Sequence, residues 1–256
     1  MEFKQRVKQA FNQWKKNGAV DEAKKLNKGV GTEYFDSTNP HFFTGNTDSE
    51  IVLIHLNPKR NKEHWNKKCD FPDFESYWDT YVRFGKLHYG ENSKRTHKSP
   101  FDHKQIRFLK PFGLLPIDNK DKFQNLENVI DCKLQIELVP FGSPDFIFQQ
   151  IGIKNLSPFI ENLQSLIIEK PRKYVIFCGR IFEHILKDYI RSKTTHSFKL
   201  TKKNGKPTKD DFHVINITLN IGDEIINACI APQFAKQGYP VMEYGKKVKE
   251  LYTKRN

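Results

Sequence analysis

The chain has 256 residues and carries 43 Lys and Arg against 30 Asp and Glu, a formal charge of +13. Hydrophobic residues make up only 37%, yet 21 Phe and 9 Tyr supply bulky material for a folded core. No run of 18 apolar residues occurs and the first 16 residues alternate charge with single aromatics, which argues against a helical membrane span or secretory signal; a cytoplasmic monomer is expected.

The length suits one domain, with residues 1–40 as an N-terminal helical extension packed on an α/β domain spanning 41–256. Phe3, Val7, Phe11 and Trp14 recur at spacings of three and four, which predicts a helix over 2–17; residues 18–48 read as irregular. Ile51 to Leu56 is a continuous apolar run, as a strand buried on both faces should be, and it stops at Asn57-Pro58. Residues 59–101 form a basic and aromatic excursion, partly helical where Phe74, Tyr77, Trp78 and Tyr81 fall on one face. A helix is expected over 102–112 and a second strand over Leu134–Val139.

Ser157-Pro158 predicts a helix start, a capping residue followed by Pro at the first helical position. Tyr174 to Cys178 is the third strand, and Gly179 turns into a helix marked by Ile181, Phe182, Ile185, Leu186, Tyr189 and Ile190. A polar, basic loop is expected over 191–209, then a hairpin of His213–Leu219 and Glu224–Ile230, then a helix over 241–252. Strands separated by helices imply crossovers, so the expected fold is a three-layer α/β/α domain around a small, mainly parallel four-stranded sheet.

The basic surplus is clustered. Residues 59–70, 83–110 and 191–209 carry +3, +6 and +7, together more than the surplus of the chain. Such clustering suits a polyanion, because each phosphate neutralised releases counterions. A nucleic acid, DNA rather than RNA, is the expected partner; a solvated basic surface is the plainer reading. Cys69, Cys132, Cys178 and Cys229 form no CxxC pair, so no metal or cofactor is expected. Three of the four lie in apolar runs, where a buried reduced thiol is the ordinary state.

In open sheets of this kind ligands bind beyond the carboxyl ends of the strands. Those ends read His55-Leu56-Asn57-Pro58, Val139-Pro140-Phe141-Gly142-Ser143, Cys178-Gly179-Arg180 and Ala231-Pro232-Gln233. Taken in order from about residue 40 to 252, this set resembles the uracil-DNA glycosylase superfamily. His55-Leu56-Asn57-Pro58 is similar to the family's first motif in its Asn-Pro version, and Ala231-Pro232-Gln233 to its last.

The resemblance implies a base flipped out of the stack, a water oriented at the sugar carbon, and hydrogen bonds to the departing base. By that resemblance Asn57 is the catalytic residue that orients water. The same resemblance places His55, Pro58, Phe71, Phe141, Ser143, Pro232 and Gln233 around the base, with the aromatics available for stacking. Lys59, Arg60, Arg180 and Lys236 are expected on the DNA backbone. The chain departs from the pattern where Ala231 stands in the last motif without a donor and Gln233 replaces a Ser. A non-catalytic nucleic-acid or modified-base binding module on the same fold is therefore the alternative. A Rossmann-type nucleotide enzyme ranks below both, since neither GxGxxG nor GxxxxGK[ST] occurs.

Overall fold

The computed structural model describes residues 2–60, 62–64, 68–93, 99–113, 121–202, 204–233 and 239–254. The first half holds α1 (Phe3–Asn17), α2 (Asp21–Val30), β1 (Phe43–Gly45), β2 (Ile51–His55), α3 (Phe74–Val82), α4 (Phe84–Tyr89), α5 (Pro100–Leu109) and α6 (Lys122–Cys132). The second holds β3 (Leu134–Glu137), α7 (Phe148–Ile151), α8 (Ile153–Ile168), β4 (Tyr174–Cys178), α9 (Phe182–Ile185), β5 (Ile190–Phe198), β6 (Phe212–Ile221), β7 (Glu224–Ala231) and α10 (Val241–Thr253). Among the described residues, no helix is long and apolar enough to cross a membrane.

The α/β class is as expected, but among the described residues the sheet has seven strands rather than four, in the order β1-β3-β2-β4-β7-β6-β5. It is mixed: β4 runs parallel to β7, whereas β6 is antiparallel to both β7 and β5. The strand segments expected from the sequence, β3, β2, β4, β7 and β6, are consecutive in that order. The chain divides into two compact units. One comprises residues 1–43, 54–81 and 135–171; the other comprises 44–53, 82–134 and 172–256.

In the first unit α1 buries Val7, Ala10, Phe11 and Trp14, and Gly18 ends the helix in the left-handed region, its N–H closing on Trp14 O at 2.8 Å. Phe11 and Trp14 meet Tyr77 of α3 at ring separations of 5.2 and 6.4 Å, an aromatic seam between the two helices. Helix α8 begins at Ile153, so Pro158 lies inside it and not at its start. A Pro there removes one backbone donor and costs about 3 kcal/mol. Burial of Leu156, Phe159, Ile160, Leu163, Leu166 and Ile167 outweighs that, at about 1.5–3 kcal/mol per side chain.

In the second unit Ile51, Leu53, Ile176, Cys178, Cys229 and Ala231 pack with Phe108 and Leu109 of α5 and with Tyr244 and Val248 of α10. The two helices cross closely: a Cβ on Gly245 would lie 2.1 Å from the carbonyl oxygen of Phe108. Strands β6 and β7 join through Gly222-Asp223, with Gly222 at φ 58°, as a two-residue hairpin requires.

Three further expectations are corrected here. The helix after Gly179 is a single turn, α9, because Ile190 enters β5 opposite Leu219 and Tyr189 O accepts from Asn220 N at 2.9 Å. The 191–209 loop is largely that strand and its return to β6. Cys132 is exposed at the end of α6, while Cys178 and Cys229 are buried.

Candidate nucleic-acid interface

In the first unit the segments that follow β2 and β3 stay zipped beyond the strands. Leu138 N donates to His55 O, Val139 N to Leu56 O, Ser143 N to Pro58 O and Arg60 N to Ser143 O, at 2.8–3.1 Å. The Asn57 side chain seals this seam: its Nδ2 donates to Ser143 Oγ at 2.8 Å, Pro58 O at 3.1 Å and Phe141 O at 3.3 Å. Its Oδ1 has no donor among the described residues, and the side chain is half-buried.

Arg60 is not a loose cation. Its Nη1 lies 2.8 Å from Asp36 Oδ2, on a carboxylate that is 1% exposed. Asn39, with Oδ1 turned to the guanidinium, accepts from Nη1 at 3.1 Å and Nη2 at 2.9 Å. Asp36 also accepts from Thr38 N and Oγ1, and Asn39 sits at φ 47°, a left-handed conformation that Asn tolerates better than most residues. Gly142 permits the close approach, since a Cβ there would lie 2.7 Å from Arg60 Cβ. These contacts tie the 36–39 segment to the turns after β2 and β3.

The expected base-binding residues fare unevenly. Phe141 is fully buried, edge-on to Phe42 and Phe159 at 6.5 and 6.1 Å, so no face is open for stacking. Ser143 is 1% exposed and donates its hydroxyl to Asp145 O, which leaves nothing for a base edge. His55 is buried at the end of β2. Phe71 packs edge-on against Trp14 and Tyr77 beside α1 and is half-buried. Pro58 is half-buried and Lys59 exposed.

In the second unit the parallel register brings Cys178 opposite Ala231, so Gly179 and Arg180 lie beside Pro232 and Gln233. Gly179 N donates to Ala231 O at 2.7 Å, and the Gln233 side chain covers Gly179, whose own φ is 146°. Arg180 and Gln233 are exposed and Pro232 half-buried. Lys236 lies outside the described residues.

No family model and no curated protein matches this chain. Asn57-Pro58 belongs to the first unit and Ala231-Pro232-Gln233 to the second.

A further basic surface is the hairpin of β5 and β6, whose outer strand ends the sheet order. Arg191, Lys193, Lys199, Lys202, Lys206 and Lys209 are all exposed, and no acidic residue falls between 191 and 209. Lys193 Nζ donates to Glu183 Oε1 at 2.7 Å, and this hydrogen bond, with the charges of Lys193, Arg180 and His184, holds the Glu183 carboxyl below its usual range. Periodicity missed this hairpin because β5 is polar on both faces; its signal was charge alone. It equally missed Asp36 and Asn39, which no motif distinguishes from other turn residues.

Proposed function

We propose that this protein binds DNA non-catalytically, through the basic β5–β6 hairpin. One observation carries the reading: an edge strand and its return expose every described basic side chain of a segment with seven bases and no acids. Arg191 and Lys193 on the edge strand also deter strand-to-strand aggregation, but the exposed Lys199, Lys202, Lys206 and Lys209 of the return lie outside the strand and serve no such purpose. Ala231 carries no donor for a departing base, and Phe141, Ser143 and Arg60 are committed to internal contacts. The test is duplex-DNA affinity across a salt series. A steep fall in affinity with salt, without turnover, is expected. Affinity that does not change between low and physiological salt removes the reading.

One observation favours a second reading, a glycosylase related to the uracil-DNA glycosylases. The three acceptors around Asn57 Nδ2 fix its amide and leave Oδ1 to accept from a water. An amide oxygen orients water by accepting its hydrogen but takes up no proton, so this route supplies positioning alone. Oligonucleotides carrying uracil, mismatches or damaged bases, assayed for abasic sites, decide it. Cleavage that survives Asn57→Ala would exclude Asn57 from the reaction.

A further inference from the structure

Strands β5, β6 and β7 carry a polar cavity of about 360 Å³ beside the last turn of α10. Register builds its floor in rows. Ser192 lies opposite Thr218, which lies opposite Asn227, and Thr194 lies opposite Asn216. Alternate residues of a strand share a face, so His196 joins Ser192 and Thr194 on this surface. Leu251 and Lys254 line the cavity from the α10 side.

Asn216 sits at the cavity with only 7% of its surface exposed. Its Nδ2 donates to Leu251 O at 2.9 Å and faces His196 Nε2 at a long 3.4 Å. Its Oδ1 is buried and accepts no hydrogen bond among the described residues. A buried acceptor left without a donor destabilises the fold, and the neighbours on the same face, Val214 and Cys229, are apolar core. Packing alone would favour an apolar residue at 216. With almost no exposed surface on Oδ1, a ligand N–H or O–H supplies the missing donor once the amide turns toward the cavity beside His196.

We propose that this cavity binds one nucleotide unit, with base and sugar on the Asn216–Thr218 floor and phosphate at Lys254. The proposal rests on the nucleic-acid reading of the same hairpin and names what the face of β5 opposite Arg191 and Lys193 holds. The volume is near the lower end, about 300 Å³, of small-molecule sites. The hydroxyls of Ser192, Thr194 and Thr218 both donate and accept, as the mixed edges of an unpaired base and its sugar require. Glu250 is shared between Lys247 at 2.9 Å and Lys254 at 2.7 Å, so the trio keeps a surplus positive charge for a phosphate. A bare phosphate would leave the floor and Asn216 Oδ1 unused.

The test is calorimetric titration of the full chain with deoxyadenosine, deoxyguanosine, deoxycytidine and thymidine monophosphates, with inorganic phosphate as the control. Thr194 is exposed and lies opposite Asn216, so Thr194→Trp fills the cavity while keeping the amide in the chain; Asn216→Leu removes the amide itself. At least one nucleotide should bind more tightly than phosphate, and either variant should weaken it by about tenfold, the loss of one good hydrogen bond. If no nucleotide binds, if phosphate binds as well, or if Thr194→Trp binds like the parent chain, the site is wrong. A short single-stranded oligonucleotide that displaces the nucleotide identifies a strand end as the source; failure to displace it identifies a free nucleotide. Duplex binding measured in parallel separates the two readings. Its loss with nucleotide binding intact overturns the proposed function alone, and its persistence with no nucleotide binding overturns this inference alone.

Discussion

The guanidinium of Arg60 lies 2.8 Å from the carboxylate of Asp36, which is 1% exposed; it also donates to Asn39, while the Arg60 backbone N–H donates to Ser143 O. A sequence reading puts Arg60 on a phosphate, immediately after a strand-ending Asn-Pro. The structure gives it a partner that cannot be released cheaply. Removing one member of such a pair leaves the other charge buried, so Arg60→Ala should lower unfolding free energy by about 3 kcal/mol, read from denaturant midpoints at unchanged m-value. It should leave the salt dependence of DNA binding as it is. A flatter salt slope in the folded variant would show that Arg60 contacts phosphate after all.

The hairpin predicts the converse. Lys199, Lys202 and Lys206 are exposed, so replacing all three with Gln should change stability by no more than about 0.5 kcal/mol each. The slope of log affinity against log salt should fall by about 0.9 for each phosphate that the variant no longer neutralises. Affinities measured at four or more salt concentrations on one duplex give the slope directly. An unchanged slope would place the DNA elsewhere on the chain.

What the sequence made legible follows from burial. Strands β2 and β4 are buried at every position and read as continuous apolar runs, so their bounds come within a residue of Ile51–His55 and Tyr174–Cys178. Helix α10 shows Val241, Tyr244, Val248 and Tyr252 at helical spacing for the same reason. Strand β5 was illegible because neither face is covered: Arg191 to Thr195 are all exposed, and a strand without a buried face has no period-two pattern. In α8 the local signal pointed the wrong way, since Ser157-Pro158 reads as a start while Leu156, fully buried, already belongs to the helix. At the candidate site the sequence brought His55, Asn57, Lys59, Arg60 and Ser143 together, but residue type alone does not reveal that Ser143 and Arg60 are already engaged.

Gly245 of α10 tests the helix crossing in the second unit. A Cβ there would meet Phe108 O at 2.1 Å and Phe108 C at 3.0 Å, both backbone atoms that cannot rotate aside. Gly245→Ala therefore has to push α10 away from α5. Helix propensity favours Ala by about 1 kcal/mol, but overpacking typically costs about 1–3 kcal/mol and here acts on backbone. Net destabilisation is expected, with a lowered thermal midpoint. A raised midpoint would mean that the helices are further apart than described.

Asp131 gives the protein an acid-side pH dependence of unusual sign. Its carboxylate accepts from Gly85 N and from Lys86 N, at the start of α4. Burial nevertheless raises its pKa to about 6, with the neighbouring Glu127 adding to the rise and the two backbone hydrogen bonds opposing it. An unfolded Asp titrates near 4, at about 3.9. Between those values the folded state holds the extra proton, so this group's contribution to stability falls as pH rises from about 4 to 6 and is level above that. Most carboxylates that gain partners on folding act in the opposite direction. Asp131→Asn cannot titrate, so the difference in unfolding free energy between parent and variant should change across about pH 4–6 and be constant from about 7 to 8. Chemical denaturation at half-unit pH steps measures it. A difference that is flat through the acid window would show that water reaches Asp131 well enough to keep its ordinary pKa.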